Sequence, residues 1–388
     1  MMKKALITAS MGSMLDNFNR NNIDALIELG YKVTLAANFD AVEDSNPQLR
    51  LQKFKEEMEN RGCKVIQIDF TRKLSNISKQ RLSYKQLKEL AREDDYQLVH
   101  CNSPICAAMT RLIFKNKRKR GTKVIYTAHG FHFFSGAPIK NWLFYFPVEW
   151  ICSRWTDVLN TMNQEDYRWA RKLLKAKKVV YIPGVGIDME KFQAGSVERR
   201  AVRERLGIVN EEKMILSVGE LSRRKNQIKV IKALKYMNSS GIKYFICGRG
   251  ELEDEIKAVI KKENLEKQVI LLGYREDISD ICQAADLFVF PSLQEGLPMA
   301  LLEAIATKTP VVCSDIRGNR ELVYEKEFLF DPRKESEIAA CMQRAFHTDM
   351  SKIIEKRYKR IQEYSVKNVM RLIREEYKRQ EASLSDDI

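Results

Sequence analysis

Short apolar runs alternate with amphipathic segments along the chain, and the pattern is laid down twice. Residues 5–9, 31–37, 63–68, 98–101, 123–127, 157–161 and 179–182 are each a strand's length of mostly apolar residues. Segments with helical spacing, among them 16–29, 48–60, 84–92 and 165–178, separate most of them. After a charged connector the alternation restarts, with strands over 214–218, 243–247, 269–272, 287–290 and 311–313 and helices over 227–236, 251–263, 277–283 and 335–347. Strands that take turns with helices need crossovers between them, which makes the sheet parallel and puts helices on both of its faces. A length of 388 residues leaves room for two or three domains. The predicted fold is therefore α/β, two Rossmann-like, doubly wound domains with a cleft between them. Residues 129–155 interrupt the rhythm with a loop rich in His, Phe and Gly and an aromatic, helix-like run.

The stretch 285–304 has the chemistry of a binding loop. Leu287–Phe290 reads as a buried strand and Met299–Ala306 as a helix, with Pro298 at the helix start where a missing N–H is harmless. Exposed N–H groups at a helix N-terminus take an anion. Glu295 in the loop and Glu303 on the helix accept hydrogen bonds from hydroxyls. A sugar nucleotide carries both an anion and hydroxyls.

A net charge of +15 favours an acidic partner: a nucleic acid, an anionic membrane or a phosphorylated substrate. No nucleic-acid-binding motif is recognisable, and the positive charge is interspersed with glutamates. The 8 cysteines include no CxxC pair and sit mostly in apolar runs, as buried thiols of a reducing compartment do. The amino terminus lacks the long apolar segment of a signal peptide, and no window approaches the roughly 18 apolar residues of a membrane span. The histidines, His100, His129, His132 and His347, are too scattered for a metal site.

Glu295-Gly-Leu-Pro-Met-Ala-Leu-Leu-Glu303 resembles the Glu-x7-Glu signature of retaining GT-B glycosyltransferases of family 4. So do Ser217-Val-Gly-Glu-Leu with Lys225-Asn226, Cys247-Gly-Arg-Gly250, Leu272-Gly-Tyr-Arg275 and Asp315-Ile-Arg-Gly-Asn-Arg-Glu321, all in family order. The run from His129 through Gly136-Ala-Pro to Asn141-Trp142 is similar to a subgroup that assembles bacterial capsule, exopolysaccharide and O-antigen. The resemblance covers nearly the whole chain. It implies a GT-B fold with an acceptor domain over 1–183, a donor domain over 184–361 and a final helix, 362–388, that crosses back to the first.

By the same resemblance Glu303 holds the ribose hydroxyls and Glu295 faces the donor sugar. The backbone of Gly296, Leu297, Met299 and Ala300 reaches the diphosphate. Lys225 neutralises the leaving diphosphate, and His129 lies near the sugar and the β-phosphate. Gly12 lets backbone approach the cleft, Gly248 belongs to the nucleotide site, and Tyr274 and Arg275 flank the nucleobase. The position two after Val218, usually arginine in the family, is Glu220, so the second cation falls to Arg224 or Arg223. No Asp-x-Asp occurs. The resemblance implies no metal and no cofactor, with the nucleotide sugar as co-substrate.

The implied acceptor is a sugar on a polyprenyl diphosphate, and the implied location is cytoplasmic, peripheral on the inner face of the cell membrane. Basic residues over 115–120 and 168–178 and aromatic residues over 142–150 fit an anionic bilayer. A nucleotide-sugar epimerase on the same fold and a basic nucleic-acid-binding protein are the competing readings. The oligomeric state is open.

Overall fold

The computed structural model describes residues 2–40, 48–72, 75–193, 198–209, 211–237 and 240–385. The chain divides into two compact units, Met1–Gly186 with Lys367–Ile388, and Ile187–Val366.

The first unit is built on seven parallel strands: β1 (Lys4–Thr8), β2 (Lys32–Ala37), β3 (Lys64–Gln67), β4 (Leu98–Asn102), β5 (Lys123–Ala128), β6 (Val158–Thr161) and β7 (Lys178–Tyr181), in the order β3-β2-β1-β4-β5-β6-β7. β1 lies between β2 and β4, with Thr8 paired to Ala36 on one side and Cys101 on the other. The second unit repeats the plan with six strands: β8 (Lys213–Val218), β9 (Ile242–Cys247), β10 (Val269–Gly273), β11 (Leu287–Phe290), β12 (Val311–Ser314) and β13 (Leu329–Phe330), in the order β10-β9-β8-β11-β12-β13. In each sheet the chain winds outward one way, returns to the middle and winds out the other way. The loops at the reversal part in opposite directions, and the crevice they leave, at the carboxyl ends of the strands, is where such sheets bind ligands. The reversals fall between β1 and β4 and between β8 and β11.

The strand signal was strong because these strands are covered on both faces, so they read as unbroken apolar runs. Leu287, Phe288, Val289 and Phe290 are each no more than 1% exposed, and burial of each contributes roughly 1.5–3 kcal/mol. Helix limits were harder to read. The helix expected over 16–29 starts earlier and is two helices, Gly12–Phe18 and Arg20–Glu28. They part at Asn19, whose side-chain amide donates to the Met14 carbonyl (3.1 Å) in competition with the backbone. The helix expected to reach 178 stops at Leu173, where Leu174 turns extended to lead into β7. The tail is not one unbroken helix. It is Ser351–Arg360, a 3₁₀ turn Ile361–Tyr364 and Val366–Ser385, broken where Ile361 and Tyr364 are buried in the second unit's core.

The charged connector holds two short helices, Met189–Gln193 and Arg199–Arg205; its residues 194–197 and 210 lie outside those described. Arg199 and Arg203 grip Asp286 at 2.7 and 3.0 Å, and the same carboxylate accepts from the Met214 N–H at 2.7 Å. This ties the start of β11 to the start of β8, at the end of the sheet opposite the crevice. The final helix packs on the first unit. Tyr377 Oη contacts His100 Nδ1 (2.6 Å) and donates to Asn22 (3.0 Å), while His100 Nε2 meets Thr127 (2.7 Å). Residues 386–388 of the expected returning segment lie outside those described. All eight cysteines are free and buried. Among the described residues no helix is long and apolar enough to cross a membrane.

Candidate functional site

Two loops meet at the reversal of the second sheet, 219–226 after β8 and 291–298 after β11. They are stitched together by backbone and side chain. The Leu293 N–H donates to the Arg224 carbonyl (2.8 Å), and Asn226 Nδ2 donates to the Pro291 and Pro332 carbonyls (3.1 and 2.9 Å). Asn226 holds a left-handed backbone, φ 61°. Asparagine tolerates that region better than most non-glycine residues, and the two side-chain bonds hold it there.

The stitched loops bring together three sequence-predicted residues. Glu295 Oε1 accepts from both Lys225 Nζ and Arg224 Nη1, each at 2.7 Å. Lys225 also lies 4.6 Å above the Phe290 ring. Burial raises the Glu295 carboxyl, but the charges of Lys225 and Arg224 outweigh it and bring it below its ordinary value. Burial lowers the Lys225 amine, and Glu295 opposes that shift. With two cations on one carboxylate at hydrogen-bond distance, the cluster is ionised at neutral pH. Glu220 is half-exposed and 3.8 Å from Arg224, while Arg223 is exposed. The second cation beside Lys225 is therefore Arg224.

Pro298 occupies the cap position of the Met299–Ala306 helix and offers no capping side chain, so the N–H groups of Met299 and Ala300 have no intrahelical acceptor. Among the described residues, those of Gly296 and Leu297 donate to nothing either. A row of free donors beside two cations can take a diphosphate.

Glu303 stands on the same helix, without a hydrogen bond or ion pair among the described residues. Burial raises its carboxyl to about 7, against smaller opposing effects of Lys191 and Lys225. Hydroxyl donors bind the carboxylate more strongly than the acid. Nucleotide affinity is therefore expected to fall as pH drops below about 7, approaching tenfold per pH unit. In Glu303→Gln that slope should vanish, as titration calorimetry across pH 5.5–8 (about the range needed) would show. The same raised value means that the group's contribution to folding is fully present below its unfolded value, 4.5, and is lost as pH rises through about 7. Ligand hydroxyls would offset that loss.

At the far side of the crevice Gly248 has φ 148°, and a Cβ there would sit 1.9 Å from the Gly219 carbonyl oxygen. The glycine lets the ends of β8 and β9 touch. Its N–H is already given to the Gly273 carbonyl (2.8 Å). Tyr274 is exposed just beyond β10. Arg275 is committed to Asp277 through two bonds, at 2.8 and 2.6 Å.

The first unit has its own cavity at its reversal. It measures about 350 Å³ and is lined by Ser10, Met14, Ser103, Tyr126, His129 and Tyr145 among others. Ser10 and Ser103 leave β1 and β4 and bond each other (3.0 Å), and Ser103 has φ 66°. His129 Nε2 meets Asn102 Oδ1 at 3.0 Å, and its ring packs on Phe18. Asn102 Nδ2 donates to the Thr8 carbonyl (3.3 Å), so its Oδ1 accepts and His129 Nε2 carries the proton. Burial lowers the ring to about 4. His129 is thus neutral, with Nδ1 left as an acceptor. His132 stacks on Tyr145 at 4.3 Å. Gly12 has a different reason from the expected close approach of a ligand. A Cβ would lie 2.6 Å from Phe39 and 2.9 Å from Leu51, and its N–H is bonded to the Asn38 carbonyl (2.9 Å).

Sequence reasoning gave no role to several residues that shape the donor loop. A Cβ on Gly318 would meet the Gly296 and Glu295 carbonyls at 2.8 and 3.0 Å, and Arg317 Nε reaches the Glu295 carbonyl at 3.4 Å. A short helix over Arg317–Arg320 is pressed against that backbone. Asn102 and Lys191 were missed too. Neither stands in a motif, and no local spacing marks them. Among the described residues no group of three or more His, Cys, Asp or Glu could hold a metal.

Residues 198–367 match the family model "Glycosyl transferases group 1" and residues 17–191 match "Glycosyltransferase Family 4". The chain is 35% identical over 270 residues to the putative glycosyltransferase EpsD of Bacillus subtilis, which spans 68% of this chain and 71% of that protein. It is 34% identical over 259 residues, 64% of this chain and 66% of the other, to an Escherichia coli protein named UDP-Gal:alpha-D-GlcNAc-diphosphoundecaprenol alpha-1,3-galactosyltransferase. In fold it is similar to Anabaena HepE, crystallised with UDP and glucose, with a TM-score of 0.76, 19% identity, and 97% and 99% of the two chains covered.

Proposed function

The chain belongs to the group 1 and family 4 glycosyltransferases, and we propose that it moves a hexose or N-acetylhexosamine from a UDP-sugar to a polyprenyl-diphosphate-linked sugar with retention, giving an α-linkage. The observation that carries this reading is the cluster at the β8/β11 reversal: Lys225 and Arg224 on Glu295, beside free helix N–H groups and an unpartnered Glu303. The cations and N–H groups take the diphosphate, and Glu303 takes the ribose hydroxyls. As the cations turn to the diphosphate, Glu295 is released to the sugar hydroxyls. The name of the E. coli relative supports a uridine nucleotide, a lipid diphosphate acceptor and an α-linkage.

In the chemical step the bond from the sugar C1 to the β-phosphate oxygen breaks on the face at which the acceptor oxygen attacks. The acceptor proton passes to the departing phosphate. Charge grows on that phosphate in the transition state, so a fixed Lys225 lowers the barrier. The acceptor sugar fits the first unit's cavity, where neutral His129 offers Nδ1 to a hydroxyl. The reaction belongs to surface polysaccharide assembly on the inner face of the cell membrane.

A thermal-shift panel of UDP- and GDP-sugars, run in EDTA, tests the donor. Saturation with a ligand at 100 times its Kd stabilises by about 2.7 kcal/mol, so the matching UDP-sugar should raise the midpoint without added metal. A shift with GDP-sugars alone, or only on adding Mn²⁺, would count against the reading.

A further inference from the structure

Six of the exposed large apolar side chains of the described residues lie on one helix, Ile139–Ser153: Ile139, Leu143, Phe144, Val148, Trp150 and Ile151. Elsewhere such side chains are scattered, as on any soluble surface. Ile139, Leu143 and Phe144 are 78, 68 and 69% exposed. Positions 139, 143, 144, 148 and 151 form a single stripe at helical spacing. The opposite stripe has its partners: Trp142 and Phe146 pack on Phe133 at 5.5 and 5.3 Å. The helix is therefore apolar on two faces, and only one of them is covered.

Cations border the uncovered face. Lys140 is exposed on the helix itself, and Arg154 caps its end over the Trp150 ring at 3.5 Å. Trp169 of the neighbouring Gln164–Leu173 helix meets Trp142 at 5.4 Å, and Arg168 and Lys172 line a surface hollow with it. Lys140, Arg168 and Lys172 have no ion pair among the described residues. Glu149, the acid within the helix, is buried against Arg111. An anionic bilayer matches both the stripe and the unpaired cations around it.

We propose that the outer face of Ile139–Ser153 lies flat in the headgroup boundary of an anionic bilayer. At 15 residues the helix is about 22 Å long, enough to lie along the surface and too short to span. Tyr145, on the inner face of the same helix, lines the cavity that holds His129. On the reading of function given above, the bilayer would then present the lipid-linked acceptor at that cavity.

The test is flotation of the full chain with vesicles of phosphatidylcholine, alone or with about one-third phosphatidylglycerol. The chain should float with the anionic vesicles at low salt, with Trp150 contributing a blue shift in emission. Leu143→Gln/Phe144→Gln should weaken binding by at least about tenfold and keep the same melting midpoint, since both side chains are exposed. A wild-type chain that stays in the soluble fraction, or a double variant that floats as well as wild type, overturns the proposal. So does a concentration-dependent dimer abolished by the same variant without vesicle binding, which would assign the face to a second copy of the chain. Transfer to a water-soluble acceptor analogue should be the same in both proteins. If transfer occurs and flotation fails, only the membrane face is wrong; if flotation holds and no transfer occurs, only the function is.

Discussion

Lys225→Ala is expected to lower turnover by about 10²–10³-fold and to weaken UDP binding. The size follows from the position. Lys225 is largely buried, its ammonium is held at 2.7 Å by Glu295, and the Phe290 ring lies beneath it. Once the diphosphate has drawn it from Glu295, a charge held in a dry site needs no further reorganisation when the leaving phosphate becomes more negative. Arg224 is more exposed and reaches the same carboxylate from outside, so it screens but does not replace Lys225. Stopped-flow or steady-state release of UDP checks the rate, and calorimetry checks the affinity. Unchanged UDP binding in Lys225→Ala would mean that the loop 219–226 does not hold the diphosphate.

Glu149→Leu is expected to destabilise the first unit by about 3–5 kcal/mol, which for a unit of this size lowers its melting midpoint by about 10 °C. Arg111 and Glu149 are 1 and 5% exposed and bond at 2.9 Å. The other Glu149 oxygen accepts from Tyr126 Oη (3.1 Å), and the guanidinium lies 4.1 Å from the Tyr126 ring. Removing the carboxylate strands a buried cation. The pair itself is worth far less than that, because its desolvation cancels most of its attraction. Arg111→Met combined with Glu149→Leu should therefore recover most of the lost midpoint in a calorimetric scan. UDP binding should be unaffected in both variants.

The two effects also show where the sequence is readable. Strands buried on both faces announce themselves, and β8 and β11 could be placed from their apolar runs alone. With them came the loop that carries Glu295 and the helix that carries Glu303, because eight positions on a short helix leave little freedom. The ion pair of Arg111 and Glu149 was invisible. A charge inside an apolar helix reads as a break in the pattern, and its partner lies 38 residues away. The pairing of Glu295 with Lys225 and Arg224 was equally hidden, since loops 70 residues apart meet only through the reversal of strand order. Arg275 could be read as a ligand residue until Asp277 was seen to hold it from two positions on. In the sequence Gly12 reads as letting backbone approach the cleft, and Gly318 has no role; a Cβ on Gly12 would press on the Phe39 and Leu51 side chains, and one on Gly318 on the backbone of Glu295 and Gly296.

On the proposed function, one nucleotide sugar is held by the β8/β11 loops and its sugar is transferred with its anomeric configuration kept. The most direct measurement is proton NMR of the purified full chain with a UDP-hexose or UDP-N-acetylhexosamine and a short-chain, diphosphate-linked sugar acceptor. An axially linked α-product, formed with release of UDP in wild type and abolished in Lys225→Ala, is the predicted result. A β-linked product, or epimerised donor with no acceptor consumed, would contradict it.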